Sequence, residues 1–182
     1  LNWLNDKKQG QQIGYYESGE KEYTLNYENG LKQGQRIEYY KSGETKKTTN
    51  FENGDAEGEE IGYYESGEKE YTLNYEYGLE QGQRIEYYKS GKTKKTTNYE
   101  YGDAEGEEIG YYESGEKKYT KFYFEYIVQG DEIGYYKSGE KEYTVNWVRN
   151  LKQGEQKYYK SGQTKDTITG LYLPGEIDYT KL

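Results

Sequence analysis

The chain has 182 residues, a net charge of −9, and neither cysteine nor histidine. Disulfides, thiolate zinc sites and imidazole bases are therefore excluded, and the acidic balance argues against nucleic-acid or anionic-membrane partners, which need a basic face. Leu, Ile, Val and Phe total only 25 residues, yet tyrosine occurs 27 times and supplies large buriable rings, and the apolar residues of the repeats stand in strict register.

Residues 1–12 (LNWLNDKKQGQQ) form a partial lead-in unit, in which Trp3 and Leu4 are expected to cover the open end of the first hairpin. From residue 13 a unit recurs every 24 residues, one residue being lost before the last copy, with Tyr-Tyr-x-Ser-Gly at Tyr15, Tyr39, Tyr63, Tyr87, Tyr111, Tyr135 and Tyr158. A fixed period of this size marks a stacked repeat architecture. Residues 13–60 and 61–108 differ at five positions: Asn29/Tyr77, Lys32/Glu80, Glu44/Lys92, Phe51/Tyr99 and Asn53/Tyr101. Copying of a two-repeat block suits a protein that works through an extended surface rather than one active site.

Each unit reads as a β-hairpin. In the copy at 61–78, Ile61-Gly62-Tyr63-Tyr64 meets a turn at Glu65-Ser66-Gly67 and returns through Tyr71-Thr72-Leu73-Asn74-Tyr75. One glycine column, Gly19, Gly43, Gly67, Gly91, Gly115, Gly139 and Gly162, closes the turns. A second, from Gly10 and Gly34 to Gly154, is expected to precede each first strand; a third, Gly30, Gly54, Gly78 and Gly102, fails at Tyr126 and Asn150. A three-residue loop, Glu17-Ser18-Gly19, is chosen because it gathers Ile13, Tyr15, Tyr23, Leu25 and Tyr27 on one apolar face, the expected core.

The expected fold is all-β: an elongated single-layer array of about seven stacked antiparallel hairpins over residues 13–170. Two strands per repeat add roughly 10 Å per repeat. Stacking makes ladders of Ile13 and its equivalents, of Tyr15 and its equivalents, and of Tyr27, Phe51, Tyr75, Tyr99, Tyr123 and Trp147. A charge column (Glu17, Lys41, Glu65, Lys89, Glu113, Lys137, Lys160) alternates in sign for most of its length, which favours register. The last third departs from the pattern, with KFYFEYIV at 121–128. The segment 171–182, with Leu171, Tyr172, Leu173 and Ile177, is expected to cap the array.

The unit (Tyr39-Tyr40-Lys41-Ser42-Gly43, Asn26-Tyr27-Glu28-Asn29-Gly30, Gly34-Gln35) resembles the MORN repeat, and more closely the bacterial variant of the antitoxin-like YwqK family. The resemblance spans about residues 10–170. It implies hairpins stacked into a twisted single-layer sheet, and roles in scaffolding, lipid association or neutralisation of a partner toxin. The chain lacks the Gly-x-Trp strand of the eukaryotic pattern, which puts the membrane role of that branch in doubt.

Chemistry-bearing motifs are few. The pairs Glu59/Glu60 and Glu107/Glu108 invite a glycosidase reading, but acid–base pairs need unlike environments, which repeated identical loops do not offer. The acidic loops Asp55–Glu60 and Asp103–Glu108 lack the spacing of an EF-hand. No catalytic, metal or cofactor role is assigned. What remains is surface. Tyr16, Tyr40, Tyr64, Tyr88, Tyr112, Tyr136 and Tyr159 are placed opposite the core as a partner-binding row, against the alternative that they pack as cross-strand ladders. The apolar patch Phe122, Phe124, Tyr126, Ile127 and Val128 is the second candidate. The expected function is a non-catalytic module, antitoxin- or inhibitor-like, that binds another protein. The alternatives are an envelope spacer or adhesin, and a phage-type inhibitor of a host defence protein. A cytoplasmic setting is favoured over export, although the chain starts at Leu1 without Met, which leaves room upstream for a signal peptide.

Overall fold

The computed structural model describes residues 2–158 and 167–168, with side chains over 3–153. Tyr159 and the expected cap 171–182 lie outside the described residues. Every described element is a β-strand. A short β1 (Asn2–Leu4) leads into long strands of two alternating kinds. One kind comprises β2 (Lys7–Tyr15), β4 (Leu31–Tyr39), β6 (Asp55–Tyr63), β8 (Leu79–Tyr87) and β10 (Asp103–Tyr111). The other comprises β3 (Lys21–Glu28), β5 (Thr45–Glu52), β7 (Lys69–Glu76), β9 (Thr93–Glu100) and β11 (Lys117–Phe124). Then come β12 (Ile127–Val128), β13 (Gly130–Tyr135), β14 (Lys141–Val148), β15 (Leu151–Tyr158) and β16 (Thr167–Ile168). They follow chain order in one open antiparallel sheet, with β12 pairing off the path onto β11. The fold is an array of successive hairpins, as the repeat implies. Two compact units can be distinguished, residues 1–93 with 99–102, and residues 94–98 with 103–182.

Two kinds of turn alternate. The Ser-Gly turn is a three-residue loop: the Tyr16 N–H donates to the Glu20 carbonyl at 2.9 Å, and the Gly19 N–H to the Tyr16 carbonyl at 2.9 Å. The other turn has two residues, both at positive φ, as at Asn29 (52°) and Gly30 (88°). This is the type I′ geometry, whose twist matches that of the flanking strands. It accounts for the third glycine column. Where that column fails, Tyr126 (φ 58°) and Asn150 (φ 64°) adopt the same backbone.

Two expectations are corrected. The second glycine column does not precede strands; it lies within them. Gly34, at φ 74°, sits inside β4, where Gly34, Gln35 and Arg36 face the single residue Leu25. Positive φ lets the strand absorb the extra residues as a bulge. The segments Asp55–Glu60 and Asp103–Glu108 are likewise strand rather than loop, because the turns are already complete at Gly54 and Gly102.

The second correction concerns the faces. The three-residue loop is present, but it does not set the register of the strands. Tyr15 pairs with Lys21, and then Gly14 pairs with Tyr23, so Glu22 is bulged out. Beyond this slip Ile13 faces Thr24, and Leu25 faces Gln12. Ile13 and Leu25 therefore lie on opposite faces, and the single apolar face expected from the loop does not form. One face carries Tyr23, Leu25 and Tyr27; the other carries an alternating ladder of Ile13, Thr24, Ile37, Thr48, Ile61 and Thr72.

The core is a stripe on the tyrosine face. In the first unit it holds Leu25, Thr49, Glu60 and Leu73; in the second, Thr97, Glu108 and Val145, while Thr120 is buried on the Ile–Thr face. Its packing rests on a fourth glycine column. The rings of Tyr23, Tyr71, Tyr119 and Tyr143 lie directly on Gly14, Gly62, Gly110 and Gly134. A Cβ built on Gly62 would stand 2.1 Å from Tyr71 Cε1. Between Gly14 and Gly62 the same cross-strand place holds an ion pair, with Lys47 Nζ 3.4 Å from Glu38. In these first three repeats a ring over glycine thus alternates with a salt bridge, whereas Gly110 and Gly134 carry the ring in successive repeats.

Candidate interaction surface

The buried carboxylates were considered first as chemistry. Glu60 accepts from Thr49 Oγ1 at 2.5 Å and from the Tyr71 hydroxyl at 2.9 Å, with Lys47 Nζ at 3.4 Å. Glu108 repeats the arrangement, with Thr97 at 2.9 Å, the Tyr119 hydroxyl at 2.8 Å and Lys121 Nζ at 3.1 Å. Burial pushes the Glu108 carboxyl up, but the Tyr119 bond, the Lys121 charge and the Thr97 bond outweigh it and hold it below its usual value. Burial and the Glu60 carboxylate push the Tyr71 hydroxyl far up, so it stays a protonated donor, with the Arg84 guanidinium 4.5 Å over its ring. A hollow of about 320 Å³ beside Glu60 is lined by Arg36, Glu38, Lys47, Phe51 and Tyr75. Its charges pair with one another: Arg36 Nε lies 3.3 Å and Lys47 Nζ 3.4 Å from Glu38. These ion pairs tie the strands together, although the buried Arg36 Nε makes an ionic contact with Glu38 and no hydrogen bond. Glu59, the exposed neighbour of Glu60, points to the other face, as alternation along a strand requires.

The candidate tyrosine row is half-buried at Tyr16, Tyr40, Tyr64, Tyr88, Tyr112 and Tyr136. Its hydroxyls reach into the next repeat. Tyr16 donates to the Tyr39 carbonyl at 2.6 Å, Tyr40 to that of Tyr63 at 2.7 Å, Tyr64 to that of Tyr87 at 2.7 Å, and Tyr112 to that of Tyr135 at 2.8 Å. Lysines of the charge ladders lie over the rings, Lys41 over Tyr16 at 5.7 Å and Lys89 over Tyr64 at 5.5 Å. Tyr16, Tyr40, Tyr64 and Tyr112 are thereby tied to the repeat that follows.

The exposed rings lie instead at the two-residue turns. Tyr77 is 85% and Tyr101 74% exposed, and each occupies the first turn position, at φ 51° and 52°. A bulky side chain in this region is a backbone outlier, whereas asparagine, found at the equivalent Asn29 and Asn53, enters it readily. The backbone is held there from outside. The Tyr77 N–H donates to Glu57 Oε2 at 2.9 Å, and the Tyr101 N–H to Gln81 Oε1 at 3.0 Å. Asn29 and Asn53 bond in the same way to Gln9 and Gln33. Leu31 and Leu79, just past their turns, are also exposed, as are Glu28, Glu52, Asp55, Glu76 and Glu100, each next to a two-residue turn in the chain. In the second unit the candidate patch is exposed at Phe122, Phe124 and Tyr126, the last 66%. Phe122 stands opposite Glu107, in a place held by Asn26, Asn50 and Asn74 in other repeats. Ile127 and Val128 are half-buried, in β12.

Sequence reasoning missed Tyr77 and Tyr101. The signal was present, since they are two of the five differences between the copied blocks. It also missed the anchoring residues Gln9, Gln33, Glu57, Gln81, Glu105 and Gln129, each standing immediately before a bulge glycine. Comparison with protein-family models and with curated proteins gives no match to this chain.

Proposed function

We propose that the chain is a non-catalytic protein-interaction module, antitoxin- or inhibitor-like, whose contact residues are the exposed aromatics at the two-residue turns and the patch Phe122, Phe124 and Tyr126. The observation that carries this reading is the exchange of Asn29 and Asn53 for Tyr77 and Tyr101 in a nearly unchanged copy. Each exchange adds a largely exposed ring where the backbone disfavours it. Backbone strain at an exposed position points to function. Tyrosine is enriched where proteins meet, and the carboxylates around these turns suit a basic partner. The resemblance to MORN repeats supports the same class of function.

The copied block supplies the control. The double variant Tyr77→Asn with Tyr101→Asn restores residues the chain already uses at these turns. It is expected to fold with unchanged or higher stability and to lose at least tenfold in capture of a partner protein from the source cell. Equal capture by variant and parent overturns the reading and favours the spacer.

A further inference from the structure

On the tyrosine face, β2 and β4 each place a lysine over a ring of the strand that follows. Lys8 and Lys32 stand two residues before the glycines that face Tyr27 and Phe51. Their ammonium groups lie over those rings, Lys8 Nζ at 5.0 Å and Lys32 Nζ at 4.7 Å, where the ring face attracts a cation. The next place in the series is Ala56, two residues before Gly58, which faces Tyr75. Alanine cannot reach the ring. The hollow of about 320 Å³ opens at this point, lined by Ala56 together with Phe51, Tyr75 and Glu60.

The second unit shows what fills the equivalent place. Ala104 stands two residues before Gly106, which faces Tyr123. Lys121, at the position of Leu73, puts its Nζ 5.0 Å over the Tyr123 ring and 3.1 Å from Glu108 Oε1. Glu108 therefore receives two ammonium groups, Lys121 on one oxygen and Lys95 at 3.8 Å from the other. Glu60, its counterpart, receives one: Lys47 lies 3.4 Å from Oε2, while Oε1 accepts from the Tyr71 hydroxyl alone among the described residues. Charge in the hollow favours a further cation. Glu38, Asp55 and Glu60 line it against Arg36 and Lys47, and among the described residues Asp55 forms no ion pair. Burial and the Glu60 and Glu80 carboxylates push the Tyr75 hydroxyl up, with the Arg84 guanidinium opposing, which marks negative potential at the ring.

We propose that the hollow beside Glu60 binds an alkylammonium group, the side chain of a lysine on a partner protein, with its carbons against Ala56 and the Tyr75 ring and its nitrogen on Glu60 Oε1. The volume, at the low end for ligand sites, suits one long side chain. Lysine fits better than arginine, because this ring column takes lysine at Tyr27, Phe51 and Tyr123, whereas arginine lies over the other column, at Tyr23 and Tyr71. The hollow reaches the two-residue turns, since Gly54 and Gly78 line it too. Supply of the lysine by a partner protein rests on the function proposed above; the ammonium site itself does not.

The probe is Nα-acetyl-lysine methylamide, titrated into the 182-residue chain while the Tyr75 ring is followed by NMR. A saturable shift with a Kd in the millimolar range is expected, the size for one cation–π contact and one ion pair. The Nε-acetylated probe keeps the carbons and loses the charge, and is expected to bind at least tenfold more weakly. Ala56→Lys copies the residue the chain uses at positions 8 and 32. It is expected to shift the Tyr75 ring by itself and to weaken probe binding at least tenfold. The comparison of the two probes uses the parent chain alone, so it holds whatever the variant does to folding. No saturable shift at Tyr75 up to about 100 mM probe, equal binding of the acetylated probe, or undiminished binding to folded Ala56→Lys overturns the proposal. None of these results bears on the Tyr77 and Tyr101 variant. Partner capture unchanged by Ala56→Lys overturns the assignment to a partner's lysine, in favour of a free amine.

Discussion

Single residues decide whether this sheet closes, and Gly62 shows how. Its backbone is in the ordinary extended region, so glycine is needed there for space, because the Tyr71 ring lies where a Cβ would be. Gly62→Ala is expected to destabilise by about 1–3 kcal/mol, the usual range for overpacking. The chain contains its own remedy: Glu38 and Lys47 hold the same cross-strand place as an ion pair. The double variant Gly62→Glu with Tyr71→Lys is therefore expected to recover part of what Gly62→Ala loses, and to be more stable than Gly62→Glu alone. Denaturant midpoints of the three variants check this. If the double variant is no better than the single ones, the two positions are not a coupled pair. The pairing was readable in the sequence, since glycine after isoleucine (14, 62, 110, 134) always accompanies tyrosine nine residues later, and glutamate there (38, 86) always accompanies lysine.

At the scale of the hairpin, the sequence told the hairpin repeat and the order of the strands but not how far the first strand of each pair extends, nor which face each residue takes. A period of 24 with paired tyrosines and glycines is unambiguous, because no helix or coil would maintain it. Facing is decided by one residue. The loop of three gives one register, and the slip at Glu22 replaces it with another within a single pair. The slip brings together a cross-strand pair that no local rule reports, Tyr23 on Gly14 in the first hairpin and Lys47 with Glu38 at the same slip in the next. Tyr16, Tyr40, Tyr64 and Tyr112 read as surface in sequence, and in the structure each also donates its hydroxyl to the following repeat. The turn anchors give a prediction at this scale. Gln33→Ala removes the acceptor of the Asn53 N–H, and should raise amide exchange at Asn53–Gly54 by about three- to tenfold while leaving Asn29–Gly30 unchanged. Equal change at both turns would show that the anchor acts through general stability instead.

Across the whole molecule, titration follows from composition and burial together. With no histidine or cysteine, no side chain has an ordinary pKa between the carboxylates and the tyrosines. Stability is expected to be nearly flat from about pH 6 to 9. Below that, Glu108 dominates the argument. Its pKa is lower folded than unfolded, so its contribution is complete above the usual carboxylate value and is lost as pH falls through the folded value. Lys121 is shifted up: its burial, which opposes the charge, is outweighed by the Tyr123 and Glu108 partners. Its share is present below the usual lysine value and vanishes only as pH rises through the raised one. Glu108→Gln is expected to cost about 1–3 kcal/mol at pH 7 and to flatten the loss of stability between pH 5 and 3. Urea midpoints at pH 7, 5 and 3 measure both effects, and an unchanged acid slope would remove Glu108 from the account. The anchors also give the array a direction. Gln9 holds the turn at Asn29, Gln33 the turn at Asn53, and Glu57 the turn at Tyr77, always forward along the chain. Each corner is thus clamped by a residue that emerged from the ribosome twenty positions before it, so a growing chain can set its corners one after another, without waiting for what has yet to be made.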